Sequence, residues 1–253
     1  MSGLWDLTDR VAIVTGGGTG IGRACAIALA ECGADVVLAG RRADPLRSVG
    51  EQIKALGRRA LPHACDITDK AQGQWLVDTA LSTFGRIDIL INCAGGAPMK
   101  GIDDWTGEDW QTVMALNLEA VWNLSHMAAK AMVARGKGAI VNISSGASLR
   151  PMPMSPIYAA AKAGVNSLTS SLAAAWTPKG VRVNAIAVGA VRAPTLTDEL
   201  ARIGMDPDAM GKANALGRLG EPEEIGAGAL FFASDMSSFC SGQTLLMHGG
   251  ART

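Results

Sequence analysis

The sequence contains few aromatic residues, few histidines and no long apolar segment. Phe, Trp and Tyr make up 4% of its 253 residues, with a single tyrosine, and there are three histidines. No apolar run reaches the roughly 18 uninterrupted residues of a membrane helix. The opening segment MSGLWDLTDR lacks the basic and then apolar pattern of a secretory signal. We therefore expect no membrane partner and a cytoplasmic location.

The cysteines and the charges do not indicate a metal site or a polyanionic partner. Five cysteines are scattered without a C-x-x-C pair or histidines at metal-ligand spacing, so free thiols are expected. Lys and Arg total 23, as do Asp and Glu, which leaves no net charge to attract nucleic acid. We therefore predict a small molecule as the partner, with no metal and no nucleic acid.

Short apolar, β-branched segments alternate along the chain with longer alanine-rich segments of helical period. The predicted strands lie at 11–15, 36–39, 89–92, 139–144 and 181–188. Such alternation predicts a parallel sheet with helices on both faces. No linker or internal repeat divides the chain. The sequence therefore predicts an α/β fold that forms one domain over residues 1–253.

The first predicted strand runs into the segment TGGGTGIG, and the alanine-rich segment after it ends at Gly33. Gly16, Gly20 and Gly22 follow the spacing G-x-x-x-G-x-G rather than G-x-G-x-x-G. Glycines at these positions allow the backbone to approach a pyrophosphate, and the N-terminus of the following helix faces that anion. A strand, a glycine loop and a helix in this order predict a dinucleotide site.

Other phosphate-binding and nucleophile motifs do not occur in the sequence. The patterns G-x-x-x-x-G-K, G-x-S-x-G, S-x-x-K and H-E-x-x-H are all missing. This argues against the corresponding kinase, hydrolase and zinc-enzyme functions.

The single tyrosine, Tyr158, stands in the segment SPIYAAAK. Ser155 and Pro156 are typical N-cap and first helical residues, so Tyr158 and Lys162 are predicted on one face of a helix. An adjacent ammonium favours the ionised phenol, so Lys162 is expected to lower the pKa of Tyr158. The Ser145 hydroxyl is positioned in the sequence to hold a substrate oxygen beside Tyr158. In isolation the pair would be a packing tyrosine and a solvated lysine, but the glycine loop and Ser145 favour a catalytic group.

The order of these motifs resembles that of the short-chain dehydrogenase/reductase family over nearly the whole chain. TGGGTGIG is similar to the cofactor loop of that family, CDIT at 65–68 to its adenine-contacting turn, and NCAG at 92–95 to its central strand motif. The residues that match its catalytic set are Asn117, Ser145, Tyr158 and Lys162.

The resemblance implies a doubly wound Rossmann fold with a seven-stranded parallel sheet, and an oxidoreductase that interconverts a ketone and a secondary alcohol. Tyr158 would exchange a proton with the substrate oxygen, which Ser145 orients, while hydride passes between the substrate carbon and the nicotinamide. Lys162 would lower the pKa of Tyr158 and hold the nicotinamide ribose, and Asn117 would secure a water of a proton relay. The predicted cofactor-binding residues are Gly16, Thr19, Gly20, Ile21, Gly22, Arg41, Arg42, Asp66, Ile67, Asn92, Gly95, Tyr158, Lys162 and Val191.

The resemblance also implies a homotetramer of two-fold symmetry. The predicted contact faces are the helices around 106–135 and 155–179 and the stretch SGQTLLMHGG. Their apolar side chains would otherwise remain exposed.

Several positions depart from the family pattern. Cys93 replaces the second asparagine of the NNAG motif, and Val188 replaces the proline of the turn after the sixth strand. Ala193 stands where a threonine usually lies near the nicotinamide amide, a contact for which Thr195 is the candidate substitute. His248 stands at a frequent aspartate and is assigned to the surface or to an interface.

The segment 194–217 interrupts the alternation of strands and helices and is the predicted substrate lid. Its apolar residues and two methionines before the catalytic helix favour a mainly apolar, adaptable pocket for a small hydrophobic ketone or alcohol. These residues are Met152, Met154, Leu196, Leu200, Met205 and Met210. Ordinary core packing is the alternative for the methionines, and 3-oxoacyl and hydroxysteroid-like substrates both stay open.

The residues after the second predicted strand bear on the choice between NAD(H) and NADP(H). An NAD-preferring site has a carboxylate there, about 20 residues after the glycine loop, but this chain has Gly40 followed by Arg41 and Arg42. A guanidinium fork suits a 2′-phosphate. Against this, Asp44 would partly neutralise the arginines, and Thr19 replaces a basic residue of many NADP-preferring relatives. We predict NADP(H) as the preferred cofactor, with Arg41 as the principal ligand and NAD(H) as the alternative.

A different function is a catalytically silent dinucleotide-sensing or scaffolding protein of the same fold. The intact set Ser145, Tyr158 and Lys162 argues against this alternative. Turnover of ketones or secondary alcohols would separate the two.

Overall fold

The computed structural model describes residues 2–250, in which strands and helices alternate. The strands are β1 Val11–Thr15, β2 Asp35–Gly40, β3 Ala60–Ala64, β4 Ile89–Asn92, β5 Gly138–Ser145, β6 Val181–Val188 and β7 Thr244–Met247. The helices are α1 Gly20–Glu31, α2 Ala43–Ala55, α3 Lys70–Phe84, α4 Gly107–Met114, α5 Ala120–Arg135, α6 Pro156–Trp176, α7 Pro194–Arg202, α8 Pro207–Lys212 and α9 Pro222–Ala233. Met1 and residues 251–253 of the predicted domain lie outside the described residues. No helix within 2–250 is long and apolar enough to cross a membrane.

All seven strands form one parallel sheet in the order β3-β2-β1-β4-β5-β6-β7. Successive side chains of a strand point to opposite faces of the sheet. In β1, Ala12 and Val14 pack into the core that contains residues of α1, α2 and α9, whereas Val11 and Ile13 pack into the core with α3 and α5. Both faces are therefore covered, which confirms the predicted doubly wound α/β fold.

The strand predictions agree closely with the structure, apart from two strands at the edges of the sheet. The strands predicted at 11–15, 89–92 and 181–188 have the observed bounds, and the other two are one residue longer at each end. No predicted strand covers β3 or β7. β3 contains Pro62, which an edge strand tolerates because one side of its backbone forms no ladder hydrogen bonds. β7 forms the other edge and lies inside the stretch predicted as a contact face.

The predicted helix around 106–135 is not a regular α-helix throughout. A π-helical turn, Ala115–Glu119, separates α4 from α5. Such turns are rare and often occur at functional sites. This one contains Asn117, which is fully buried.

Helix α6 begins where the sequence predicts, with Ser155 as N-cap and Pro156 as the first residue. The Ser155 side chain, however, does not cap the helix. Its hydroxyl donates a hydrogen bond to the Pro98 carbonyl at 3.3 Å. Ser155 therefore ties the start of the helix to the loop after β4.

Candidate active site

A cleft of about 1070 Å³ runs across the carboxyl ends of the strands. The chain leaves the neighbouring strands β1 and β4 toward opposite edges of the sheet, and ligands of open parallel sheets bind at such a switch point. Most of the predicted site residues line this cleft: Gly16, Thr19, Gly20, Ile21, Gly22, Arg41, Arg42, Asp66, Ile67, Gly95, Ser145, Tyr158, Lys162 and Val191. Asn92 and Asn117 are buried and do not line it.

The glycine loop between β1 and α1 has a backbone that other residues would not adopt. Gly16 and Gly20 have φ angles of +67° and +52°. A Cβ on Gly22 would lie 2.2 Å from the carbonyl oxygen of Gly16. Thr19 is the N-cap of α1, but its side chain does not bind the N–H groups of the first turn. The uncapped N-terminus of α1 therefore offers free donors to an anion in the cleft.

Thr15, the last residue of β1, joins the glycine loop to the loop after β4. Its hydroxyl accepts hydrogen bonds from the N–H groups of Cys93 at 2.9 Å and Ala94 at 3.0 Å. A Cβ on Gly16 would lie 3.1 Å from the Ala94 backbone, so the two loops are in close contact. Thr15 was not among the site residues predicted from the sequence. The available signal was a hydroxyl at the end of an otherwise apolar strand.

The end of the cleft beside β2 carries two exposed arginines, Arg41 and Arg42. Asp44, which was expected to neutralise them in part, pairs with Arg47 instead. Neither Arg41 nor Arg42 forms an ion pair within residues 2–250. Because Gly40 offers no carboxylate, this end of the cleft is cationic.

Tyr158 and Lys162 lie one turn apart on α6, beside Ser145 at the end of β5. The Lys162 Nζ atom is 5.6 Å from the centre of the Tyr158 ring and donates a hydrogen bond to the Ile143 carbonyl at 2.8 Å. The Ser144 hydroxyl donates to the Lys162 carbonyl at 3.1 Å. These contacts hold α6 against β5, and the three predicted catalytic side chains converge.

Burial controls the ionisation of Tyr158 and Lys162. It raises the pKa of Tyr158 to about 12, although the nearby Ser145 hydroxyl acts in the opposite direction. It also lowers the pKa of Lys162 to about 8. Removal of the phenol from water therefore sets the direction of the pKa shift of Tyr158, and a lowering of that pKa by Lys162 stays a prediction. Tyr158 keeps its proton at neutral pH.

The Asn117 side chain is engaged with neighbouring backbone. Its Oδ1 accepts from the Gly96 N–H at 3.0 Å, and its Nδ2 donates to the carbonyls of Gly96 and Val113, each at 2.9 Å. A Cβ on Gly95 would lie 2.8 Å from Asn117 Oδ1 and 3.2 Å from Lys162 Nζ. Asn117 thus fixes the loop after β4 against Lys162, and both of its amide hydrogens are used.

Asn92 belongs to a buried polar ladder beneath the cleft. Its Nδ2 donates to Ser125 Oγ at 3.0 Å and to Asn142 Oδ1 at 2.8 Å. Asn142 in turn donates to Thr169 Oγ1 at 2.9 Å. The Asn92 side chain therefore connects β4 to α5 and β5, and a cofactor contact of Asn92 stays a prediction.

The substrate end of the cleft is lined by only part of the predicted apolar set. Met152, Leu196 and Met210 line it. Leu200 is fully buried in the protein core, whereas Met154 and Met205 are exposed. The pocket has fewer methionines than the sequence pattern indicated.

The predicted lid, 194–217, contains α7 and α8 and is fastened to the loop after β4. The Glu199 carboxylate accepts a hydrogen bond from the Met99 N–H. Arg202 donates to the Met99 carbonyl at 2.7 Å and to Glu199 at 2.6 Å. These contacts hold α7 beside the cleft.

His248 packs against Gly189, which lies in the turn after β6. A Cβ on Gly189 would lie 2.6 Å from the His248 backbone, so these two residues are packed together. His248 is half-buried and does not line the cleft. Ala193 is the N-cap of α7, and Thr195 lines the cleft. Thr195 is therefore near enough to the site to serve as the substitute considered above.

The cysteines are free thiols. Cys93 lines the cleft, and burial raises its pKa to about 12. Within residues 2–250, no three His, Cys, Asp or Glu side chains come together as a metal site.

Comparison with known proteins gives consistent matches over nearly the whole chain. The family model described as enoyl-(acyl carrier protein) reductase matches residues 16–252. A 3alpha-hydroxysteroid dehydrogenase of Mediterraneibacter gnavus is 38% identical, over 98% of each chain. The 3-oxoacyl-[acyl-carrier-protein] reductase FabG of Thermotoga maritima is 34% identical, over 96% of this chain and 98% of the relative. The solved 7α-hydroxysteroid dehydrogenase complexed with NADH and 7-oxo glycochenodeoxycholic acid is 35% identical, with a TM-score of 0.93 over 99% of this chain and 97% of that one.

Replacing Lys162 with methionine is expected to remove a pH dependence of stability. Burial lowers the pKa of Lys162 from 10.5 to about 8, so between these values the unfolded chain binds more protons than the folded one. The free energy of unfolding of the wild type should therefore rise with pH, relative to that of Lys162→Met. Between pH 7 and 10 the expected difference is about 2 kcal/mol.

Urea unfolding of both proteins from pH 7 to 10 measures this difference, because Tyr158 is present in both proteins and its titration largely cancels in the comparison. Lys130→Met, which removes an exposed lysine of α5, is the control. A difference between the wild type and Lys162→Met that stays constant with pH would contradict the prediction.

Proposed function

The chain belongs to the short-chain dehydrogenase/reductase family, and we propose that it is an NADP(H)-dependent, cytoplasmic oxidoreductase that interconverts a ketone and a secondary alcohol. The relatives are named dehydrogenases and reductases, which supports chemistry on a CH–OH group. The observation that carries the proposal is that Ser145, Tyr158 and Lys162 converge in the same cleft as the glycine loop.

The cleft residues fit a nicotinamide dinucleotide. The close contact of Gly22 with Gly16 and the uncapped N-terminus of α1 suit a pyrophosphate. Asp66 and Ile67 would contact the adenosine, and Val191 the nicotinamide end. The bound cofactor supplies or accepts the hydride.

Tyr158 is the proposed acid–base residue. Because its pKa is raised to about 12, the phenol holds its proton at neutral pH and can donate it to a carbonyl oxygen. Ser145 would orient that oxygen. Lys162, with a pKa of about 8, is mostly charged at neutral pH and would stabilise the phenolate once the proton has left. Lys162 thus acts after proton transfer rather than by ionising the tyrosine beforehand.

Asn117 is proposed as a positioning residue. Its amide holds the backbone of Gly96 by two hydrogen bonds. The preceding residue, Gly95, packs closely against both Asn117 and Lys162. Both amide hydrogens are used, so a relay water secured by Asn117 would have to bind to its backbone.

We propose that the segment 194–217 is the substrate lid and that the substrate is small and mainly apolar. Leu196 and Met210 of the lid and Met152 face the cleft. Such a wall accommodates either a 3-oxoacyl or a hydroxysteroid-like skeleton. A panel of ketones and secondary alcohols from both classes, followed by nicotinamide absorbance, tests the function. Cofactor binding without turnover of any of them would favour the silent sensing or scaffolding protein.

Tyr158→Phe is expected to lower kcat by at least about 100-fold, because it removes the proton donor and keeps the ring. Cofactor affinity, measured by fluorescence titration, should stay at the wild-type value. Lys162→Ala should lower both kcat and cofactor affinity, since the charge and the proposed ribose contact are lost together. Near-normal kcat in Tyr158→Phe would show that another group transfers the proton.

The proposed preference for NADP(H) rests on the cationic end of the cleft. The solved relative with NADH shows that a related protein holds the unphosphorylated cofactor, so the choice in this chain must come from its own residues. Gly40 provides no carboxylate for a ribose 2′-hydroxyl, and Asp44 is occupied by Arg47. Arg41 and Arg42 are therefore free to bind a 2′-phosphate.

Arg41→Ala is expected to lower kcat/KM with NADP(H) by roughly 1.5 to 3 kcal/mol in transition-state free energy and to change it little with NAD(H). Arg42→Ala is the matched variant and should have a smaller effect, since Arg41 is the proposed principal ligand. Steady-state kinetics with both cofactors provide the measurement. A wild type that prefers NAD(H), or equal losses with the two cofactors, would refute the assignment.

We also propose a homotetramer, because the predicted contact faces expose large apolar side chains. On α4 and α5 these are Trp110 and Trp122, and on the edge strand β7 they are Leu245 and Leu246. Light scattering at micromolar concentration should give a mass near four times the chain mass of 26.1 kDa. The mass of a single chain would contradict the prediction.

A further inference from the structure

Arg150 is a cation without a partner at the substrate end of the cleft. It lies five residues after Ser145 on the segment that leads to α6. It lines the same cleft as Ser145 and Tyr158, and its side chain is exposed. Within residues 2–250 its guanidinium makes neither an ion pair nor a hydrogen bond.

Charged side chains of the loop after β4, and of the helices α4 and α7 that contact this loop, are already engaged. Glu199 accepts hydrogen bonds from Arg202 and from the Met99 N–H. The Lys100 ammonium binds both carboxylate oxygens of Asp109, at 2.7 and 2.8 Å. Among residues 2–250, the acidic side chains that line the cleft are Asp66 and Glu199, and neither pairs with Arg150.

Lys162, the cation of the catalytic group, is not available to a part of the substrate that lies away from Tyr158. Lys162 is only 3% exposed and donates to the Ile143 carbonyl. It is placed to act on Tyr158. An anionic group at the outer end of a substrate would therefore meet Arg150 alone.

The cleft that Arg150 lines also carries apolar side chains. Met152, Leu196 and Met210 line the cleft, and the preceding residue Leu149 is 58% exposed. A bound substrate would cover this wall and exclude water from it. An ion pair formed there would be stronger than one formed in free solvent.

We propose that Arg150 binds a carboxylate of the substrate, so that the substrate is an oxo- or hydroxycarboxylic acid with an apolar skeleton between its two polar ends. The inference rests on the proposed function and narrows its substrate class. One end, the ketone or alcohol, lies at Tyr158 and Ser145. The other end, the carboxylate, lies at Arg150.

A carboxylate fits this site better than a phosphate does. A guanidinium offers two parallel N–H donors that match the two oxygens of a carboxylate. A single arginine neutralises one negative charge. A phosphate monoester carries close to two at neutral pH, which would leave an uncompensated charge against an apolar wall.

The first test compares linear oxo acids that carry a methyl ketone at the far end, of 6 to 12 carbons, with their methyl esters. We expect the wild type to show a kcat/KM for the best acid about tenfold above that for its ester, mainly through KM. Arg150→Met should abolish this preference and leave the ester kinetics unchanged. Arg150→Lys should restore part of it.

Arg135→Met, which removes an exposed arginine of α5 far from the cleft, is the matched control and should keep the wild-type preference. Raising the salt concentration should reduce the acid preference of the wild type. Equal kcat/KM for acid and ester in the wild type, or an acid preference that survives in Arg150→Met, would overturn the inference while leaving the oxidoreductase function intact.

A binding experiment keeps the inference testable if none of these substrates is turned over. Calorimetry with the cofactor-bound protein would compare octanoate with octanamide. We expect octanoate to bind about tenfold more tightly to the wild type and equally with octanamide to Arg150→Met. Equal affinities in the wild type would overturn the role of Arg150. Absence of turnover on the whole ketone panel would count instead against the proposed function.

Discussion

The arrangement of the cleft depends on how helix α6 is docked on strand β5. The docking uses three buried polar contacts in succession: the Ser144 hydroxyl with the Lys162 carbonyl, the Lys162 ammonium with the Ile143 carbonyl, and Asn142 with Thr169. A buried donor or acceptor without a partner is costly, so these contacts define one register between helix and strand. That register places Ser145 at the strand end beside Tyr158 on the helix. The reactive geometry is therefore a consequence of packing below the cleft.

Burial in the cleft shifts the pKa values of Tyr158 and Lys162 in opposite directions. Desolvation disfavours the charged form of each group, and it therefore raises the pKa of Tyr158 and lowers that of Lys162. At neutral pH the tyrosine remains protonated while the lysine remains mostly charged. These are the protonation states that the proposed proton transfer from Tyr158, and the proposed stabilisation of the phenolate by Lys162, would require. Proximity alone, without burial, would have favoured an ionised tyrosine.

The sequence predicted the features that depend on contiguous residues. It did not predict the features that depend on contacts between residues far apart in the chain. The central strands follow from apolar runs, and the glycine loop from its spacing, because both signals are contiguous. Strand β3 was missed because Pro62 argues against a strand unless its edge position is known. The buried contacts of the Asn92 side chain were not predicted because its partners Ser125 and Asn142 come from other elements. The raised pKa of Tyr158 was not predicted because the depth of burial is a tertiary property.

A chain with no net charge can still present a local excess of positive charge to a ligand. Most arginines and lysines on the protein surface are paired, as Arg47, Lys100 and Arg202 are. The two acidic side chains that line the cleft, Asp66 and Glu199, accept hydrogen bonds from neighbouring groups. Arg41, Arg42 and Arg150 have no such partners within residues 2–250. Because salt screens charges beyond about 10 Å, this local excess rather than the net charge determines which ligands the cleft attracts. The proposed binding of a 2′-phosphate by Arg41 and the proposed binding of a carboxylate by Arg150 both rest on an arginine that lines the cleft and has no ion pair within residues 2–250.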